Sequence, residues 1–161
     1  MTVVDDSGRV VSREACVAQV RAWQAQGRVV VFTNGVFDLL HVGHVRYLAA
    51  ARAEGHHLVV AVNTDETVRA AKGPDRPVHP AGERAELLAA LKVVDLVTIF
   101  PEPTPAAIIE AVQPDVLVKG ADWPLDQVVG RETVWARGGR VVRVPTEEGH
   151  STTGLIAKVR R

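Results

Sequence analysis

The chain has 161 residues, 47% of them hydrophobic, which is enough for one domain with a sizeable core. Its 19 Lys and Arg balance 19 Asp and Glu, so no long-range field recruits nucleic acid or an anionic membrane, and any anion must be held by local groups. The only cysteine, Cys16, excludes an internal disulfide and a multi-cysteine zinc site; with no basic start and no apolar stretch of signal-peptide or membrane-spanning length, the cytoplasm is the expected location.

Residues 12–26 read as a helix, with Ser12 as N-cap, Cys16, Val17, Val20 and Trp23 as an apolar stripe, and Gly27 as the stop. Residues 1–27 therefore form a helical extension packed on a domain at 28–161. "RVVVF" (28–32) is a continuous β-branched run, the pattern of a strand buried on both faces of a parallel sheet. The pattern repeats as helix 43–54, strand 58–62, helix 81–92, strand 96–100, helix 105–112 and strand 116–118. A segment at 132–137, a strand at 140–144 and a helix at 152–160 close the chain. The alternation predicts a single α/β domain, a doubly wound, Rossmann-like parallel sheet with helices on both faces. Trp23, Tyr47, Leu87, Leu91 and Trp135 fit helical stripes and are read as core, whereas His56 and His57, beyond Gly55, are expected to face solvent. In such sheets ligands lie beyond the carboxyl ends of the strands, and the polar loops 34–44, 63–80, 119–126 and 146–153 fall there.

"NGVFDLLHVGHVRYL" (34–48) sets His41 and His44 on either side of Gly43. Zinc would need a third and usually a fourth ligand, which Cys16 and the nearby carboxylates are badly placed to supply. Two solvent-facing loop histidines are the plainer alternative. The strand-to-helix junction favours an anion cradle: glycine lets a ligand approach, the first free N–H groups of the helix point at it, and imidazoles donate to phosphate oxygens.

The stretch resembles the GxFDxxHxGH signature of the nucleotidyltransferase superfamily that includes glycerol-3-phosphate cytidylyltransferase and phosphopantetheine adenylyltransferase. "VSREACVAQVRAW", "VVFTNGVFDLLHVGHVRYL", "VNTDETVRAAKGPDRPVHPAGERAELLAAL", "DVLVKGADW" and "EGHSTTGLI" are similar, in that order, to the adenylyltransferase half of bacterial heptose kinase/adenylyltransferases and their stand-alone relatives. This resemblance covers nearly the whole chain. It implies transfer of AMP from ATP to D-glycero-D-manno-heptose 1-phosphate, giving ADP-heptose and pyrophosphate, on the way to lipopolysaccharide inner core or another heptose-containing glycan. It also implies Mg2+ with the ATP and a homodimer. A phosphate dianion attacks phosphorus without a general base, so positioning and charge stabilisation would carry the reaction.

The resemblance assigns His41, His44 and Lys72 to catalysis, with the histidines on the triphosphate. Asn34, Gly35, Val36, Phe37 and Gly43 would approach the phosphates through backbone; Val36 stands where many superfamily members carry a hydroxyl. Lys119 and Gly120 close the fourth strand where nucleotide would lie, and Ser151, Thr152 and Thr153 offer a helix N-cap and hydroxyls. Asp38, Asp65 and Arg84 are placed at the sugar phosphate, against plainer readings of Asp38 as a cap and Arg84 as a surface ion pair with Glu83 or Glu86. Lys72 is expected in a glycine- and proline-rich loop without a regular element, a mobile cover rather than a solvated lysine. Trp123 either stacks on adenine or packs at the surface. No side chain is assigned to a metal. Two alternatives stay open: a cytidylyltransferase acting on glycerol 3-phosphate or a similar alcohol phosphate, weakened by the lack of an arginine just before Ser151, and a non-catalytic nucleotide-binding domain.

Overall fold

In the computed structural model, which describes residues 7–161, the first strand explains its own composition. Val30 and Phe32 pack into one core and Val31 into another on the opposite face, all three without exposure, so the first half of this strand has no solvent-facing position and is apolar throughout. In chain order the elements are α1 (Arg13–Ala25), β1 (Val30–Gly35), α2 (Val42–Arg52), β2 (His57–Asn63), α3 (Asp65–Lys72), α4 (Ala81–Ala89), β3 (Leu96–Phe100), α5 (Ala106–Val112), β4 (Val116–Gly120), a 3-10 turn (Leu125–Gln127), α6 (Arg131–Ala136), β5 (Arg140–Val144) and α7 (Thr152–Val159). The five strands form one parallel sheet in the order β3-β2-β1-β4-β5, the expected doubly wound α/β architecture. Helices α2 and α4 cover one face through Leu48, Ala51, Ala85 and Leu88. Helices α1, α5 and α6 cover the other through Cys16, Val20, Ile108, Ile109 and Val134.

The order reverses at β1, because β4 crosses back to lie on its other side. There the ladder is short: only Val31↔Val116 and Phe32↔Leu117 pair, so the carboxyl ends of β1 and β4 diverge and open a crevice. Thr33 closes the base of the gap, its buried Oγ1 donating to the Val118 carbonyl at 2.9 Å and lying 2.8 Å from the Tyr47 hydroxyl. Tyr47 thereby ties α2 to both strands, and burial pushes its phenol up to about 12.

At the far edge the segment before α1 lies along β3, with Val11 N–H donating to Val97 O and Val97 N–H to Arg9 O, both at 2.9 Å, which covers a strand edge that would otherwise be open. Residues 1–6 of the N-terminal extension, and the part of the leader-peptide reading that rests on them, lie outside the described residues. No helix among the described residues is long and apolar enough to cross a membrane.

Several expectations are corrected. The stretch before Gly73 is not a loop: it is α3, and Lys72 is its last residue. Asp65 and Glu66 in its first turn and Arg69 and Lys72 in its last complement the helix dipole, while Val68 is its one buried residue, so the apolar period is too short to read. Gly73, at φ 101°, then supplies a backbone turn that a side chain would strain. Leu87 and Trp135 are exposed rather than core, because α4 turns Arg84, Ala85 and Leu88 inward and α6 buries only Val134. His57 does not face solvent; its ring stacks on Trp23 with centroids 3.9 Å apart and lies 3.5 Å from Asp95. His56 is exposed, yet its Nδ1 accepts from Val29 N–H at 2.8 Å.

The largest correction concerns Arg84 and Asp65. Arg84 is fully buried, and its guanidinium donates from Nε to His79 O at 2.9 Å, from Nη1 to Val36 O at 2.8 Å, and from Nη2 to Asn63 O and Asp65 Oδ1, each at 2.8 Å. Asp65 Oδ1 also accepts from Ala81 N–H at 2.8 Å. Neither residue is placed to meet a sugar phosphate; both fasten loops to each other. Arg84→Ala is expected to lower unfolding stability by about 3–5 kcal/mol, because it strands three carbonyls in the interior and removes the partner of the half-buried Asp65 carboxylate. A urea midpoint unchanged from wild type would contradict this.

Candidate active site

Helix α2 begins on His41, and no side chain caps it in the ordinary way. Instead the His41 N–H donates to His44 Nδ1 at 3.3 Å, one half of a reciprocal capping arrangement. In the other half the His41 side chain faces the His44 N–H, but its buried Nδ1 makes no full hydrogen bond. The bond to Nδ1 selects the His44 tautomer with its proton on Nε2, leaving that nitrogen as a donor. The two rings stack at 3.8 Å, and the Phe37 ring meets His44 edge-on at 5.4 Å. Phe37 takes a left-handed backbone conformation, φ 49°, which is unusual for a bulky residue. A Cβ on Gly35 would come within 2.9 Å of its ring. Gly43 is likewise required, since a Cβ there would lie 2.9 Å from the His41 ring and 3.0 Å from His150 Cβ.

Burial pushes the His44 imidazole down to about 4, with its neighbour His41 adding to the effect; His41 is lowered by burial and by His150. Without ligand at neutral pH, then, the pair is uncharged. Lys119 is also held below its usual range by burial, partly offset by Asp122, and its Nζ lies 5.3 Å from the centre of the Trp123 ring.

These groups line a cavity of about 580 Å³ at the carboxyl ends of β1, β4 and β5. Of the expected site residues it gathers Asn34, Gly35, Val36, Phe37, Asp38, His41, Gly43, His44, Lys72, Lys119, Gly120, Ser151, Thr152 and Thr153. Only Asp65 and Arg84 stand outside. Two helix N-termini converge on it: α2, and α7, where Ser151 Oγ accepts from Gly154 N–H at 2.9 Å and Thr152 Oγ1 donates to Leu39 O at 3.2 Å. Helix N-termini favour anions.

Asp38 needs correction. It is almost fully buried, and its carboxylate accepts from Val78 N–H at 2.8 Å, His79 N–H at 3.0 Å and Arg76 Nε at 2.7 Å. Burial works against its ionisation, but the bonds from His79, Val78 and Arg76 together hold it below the ordinary carboxylate range. Its lone pairs are thus occupied by the 76–79 loop, and its effect on a ligand runs through Arg76, which lines the cavity. Arg76, Arg46, Tyr47, Asp122, Glu147 and His150 also line it, and none of them was singled out for this site from the sequence. Only adjacency to Lys72, Trp123 or Ser151 could have pointed to some of them.

A second cavity, of about 410 Å³, adjoins the first and shares Asn34, Gly35, Val36, Lys72, Lys119 and Trp123 with it. Asn63, Thr104 and Gln127 and apolar residues including Pro103, Leu117 and Val128 line the remainder of its wall. Among the described residues no group of three or more His, Cys, Asp or Glu is arranged to hold a metal.

Residues 32–158 match the family described as cytidylyltransferase-like. The chain belongs to that family. The chain is 52% identical over 153 residues to the bifunctional protein HldE of Azorhizobium caulinodans, covering 95% of this chain and 32% of that protein. It is 50% identical over 156 residues to the bifunctional protein HldE of Geotalea uraniireducens, covering 97% and 32% respectively. The chain therefore spans about a third of the length of these curated relatives. It is also similar to the crystal structure of the lipopolysaccharide core biosynthesis protein from Thermoplasma volcanium, with a TM-score of 0.64 and 31% identity over 77% of this chain and all of that one.

The lowered His44 value has a consequence for stability. Because the folded state resists protonation, the contribution of His44 is complete above the unfolded value near 6.5 and is lost as pH falls towards about 4. Titration of the ligand-free protein followed by histidine ring NMR is expected to place the His44 midpoint near 4, with the melting temperature falling over the same window. A midpoint near 6.5 would contradict the buried, neutral assignment.

Proposed function

We propose that this cytidylyltransferase-like protein transfers AMP from ATP to D-glycero-D-manno-heptose 1-phosphate, releasing pyrophosphate and ADP-heptose. The observation that carries the reading is the pair of cavities sharing one wall, with Lys72 and Lys119 on that wall. Two anionic substrates that exchange a phosphoryl centre need such adjoining seats, and cations between them offset the repulsion of the reactants. The resemblance to heptose adenylyltransferases, extending over nearly the whole chain, supports the choice of substrates.

In this reading ATP occupies the larger cavity and the sugar phosphate the smaller. Asn63, Thr104 and Gln127 present amide and hydroxyl groups to the sugar, a role first expected of Asp65 and Arg84. An oxygen of the heptose phosphate forms the new bond to the α-phosphorus, and the bond from that phosphorus to the bridging oxygen breaks, the electron pair leaving with pyrophosphate. No general base is needed. His44 donates from Nε2, and the hydrogen bonds from both imidazoles strengthen as charge builds on the phosphate oxygens. Lys72, at the end of α3 where Gly73 turns the chain, brings its ammonium onto the phosphates. Mg2+ supplied with ATP would offset charge on the departing pyrophosphate, and no side chain of this chain is assigned to hold it.

Incubation with ATP or CTP and a panel of sugar phosphates, with products identified by mass, is expected to yield ADP-heptose and to stop in excess chelator. A product formed only with CTP would replace the nucleotide, and ATP binding with no product at all would favour a sensor domain. His41→Ala, His44→Ala and Lys72→Gln are each expected to lower kcat/KM by about 10²-fold, on the order of 3 kcal/mol of transition-state stabilisation. For the histidines the loss should fall mainly on kcat; steady-state kinetics showing it in ATP affinity instead would make them ground-state binding groups.

A further inference from the structure

His150 lies just before the N-cap of α7 and was not part of the signature read from the sequence. Its ring is nearly parallel to that of His41, at 24° and 6.3 Å between centroids, so Phe37, His44, His41 and His150 form one file of rings running outward along the larger cavity. The file is built from two separate elements and depends on Gly43, whose missing Cβ leaves room for both His41 and His150. The loop that carries His150 is fastened to α2 by the Arg46–Glu147 ion pair and to the 38–40 turn by Thr152. Glu147 also lies 3.9 Å from His150 Nε2.

The two cavities give this file a direction. The shared wall is at Asn34, Val36, Lys72 and Lys119, whereas His150 and Arg46 line the larger cavity alone. In phosphoryl transfer the entering and leaving oxygens lie roughly in line through the phosphorus. An acceptor entering from the smaller cavity therefore sends the leaving group away from the shared wall, towards the outer end of the file. We propose that His150 is a third imidazole of the phosphate cradle and contacts the β- and γ-phosphates of ATP, the part that departs as pyrophosphate. The assignment rests on the ATP reading above, not on the identity of the sugar. His44 and His41 serve the inner phosphates and His150 the outer ones, so His150 discriminates a nucleoside triphosphate from a monophosphate.

The test is equilibrium binding of ATP and of AMP, by calorimetry, to the wild-type protein and to His150→Leu, His150→Gln and His150→Lys, with melting temperatures as a check on folding. Leucine keeps the packing on Gly43 without a donor, glutamine keeps one neutral donor, and lysine restores a cation. ATP affinity is expected to fall about 10-fold in His150→Leu, less in His150→Gln, and to recover in His150→Lys, as suits a charge-assisted hydrogen bond; AMP affinity should stay within about twofold throughout, since AMP lacks the outer phosphates. Equal weakening of ATP and AMP would reduce His150 to a packing residue and overturn the assignment, as would ATP affinity unchanged in His150→Leu. A wild-type protein that binds no ATP would remove the nucleotide reading and this one with it. One that binds ATP but makes no ADP-heptose would remove only the acceptor, leaving His150 to be decided by the ATP and AMP comparison.

Discussion

A single guanidinium holds the site loops in register. Arg84 reaches the turn after β1 through Val36, the end of β2 through Asn63, the start of α3 through Asp65 and the approach to α4 through His79. These segments are far apart in sequence and would otherwise present unpaired carbonyls to the interior. Arginine alone among the side chains offers five donors in a planar fork, and burial without exposure makes each bond costly to lose. Asp38 repeats the device with the sign reversed, a buried carboxylate gathering the N–H groups of Val78 and His79 and the side chain of Arg76. Both groups were expected at a ligand; both instead make the loops rigid enough to hold one.

On this frame the stacked histidines of the cavity stay uncharged until it is filled. Burial keeps His44 neutral and lowers His41, so the two stacked rings do not confront one another as cations. An arriving polyanion meets N–H donors on neutral rings, and hydrogen bonds to charged phosphate oxygens are stronger than those to neutral acceptors. The cradle therefore binds a growing negative charge more strongly than a fixed one, which is the condition for lowering a barrier rather than only holding a substrate.

The topology explains why two seats adjoin. Where β4 crosses back to the other side of β1, the ladder between them stops after Phe32 and Leu117, and Thr33 and Tyr47 satisfy the carbonyl that pairing would have used. The ends of the two strands separate, and their terminal residues, Asn34, Gly35 and Lys119, face a cavity on either side.

The order of strands and helices was legible from the chain because a parallel sheet buried on both faces leaves continuous apolar runs, and Gly27, Gly55 and Ser12 mark helix ends by local chemistry alone. The histidine pair was legible for the same reason: His41, Gly43 and His44 are neighbours in sequence, and helix geometry fixes what they present. What the chain could not declare was the fate of polar residues whose partners are distant. Arg84, Asp65 and Asp38 look like ligand groups until long-range bonds occupy them, α3 has too few apolar positions to reveal its period, and His150 becomes part of the cradle only when α7 docks against α2. Local pattern determined the elements and the motif; tertiary contact decided which charged side chains are fasteners and which remain free to meet a phosphate, since a buried donor or acceptor must be satisfied by whatever the fold brings near it.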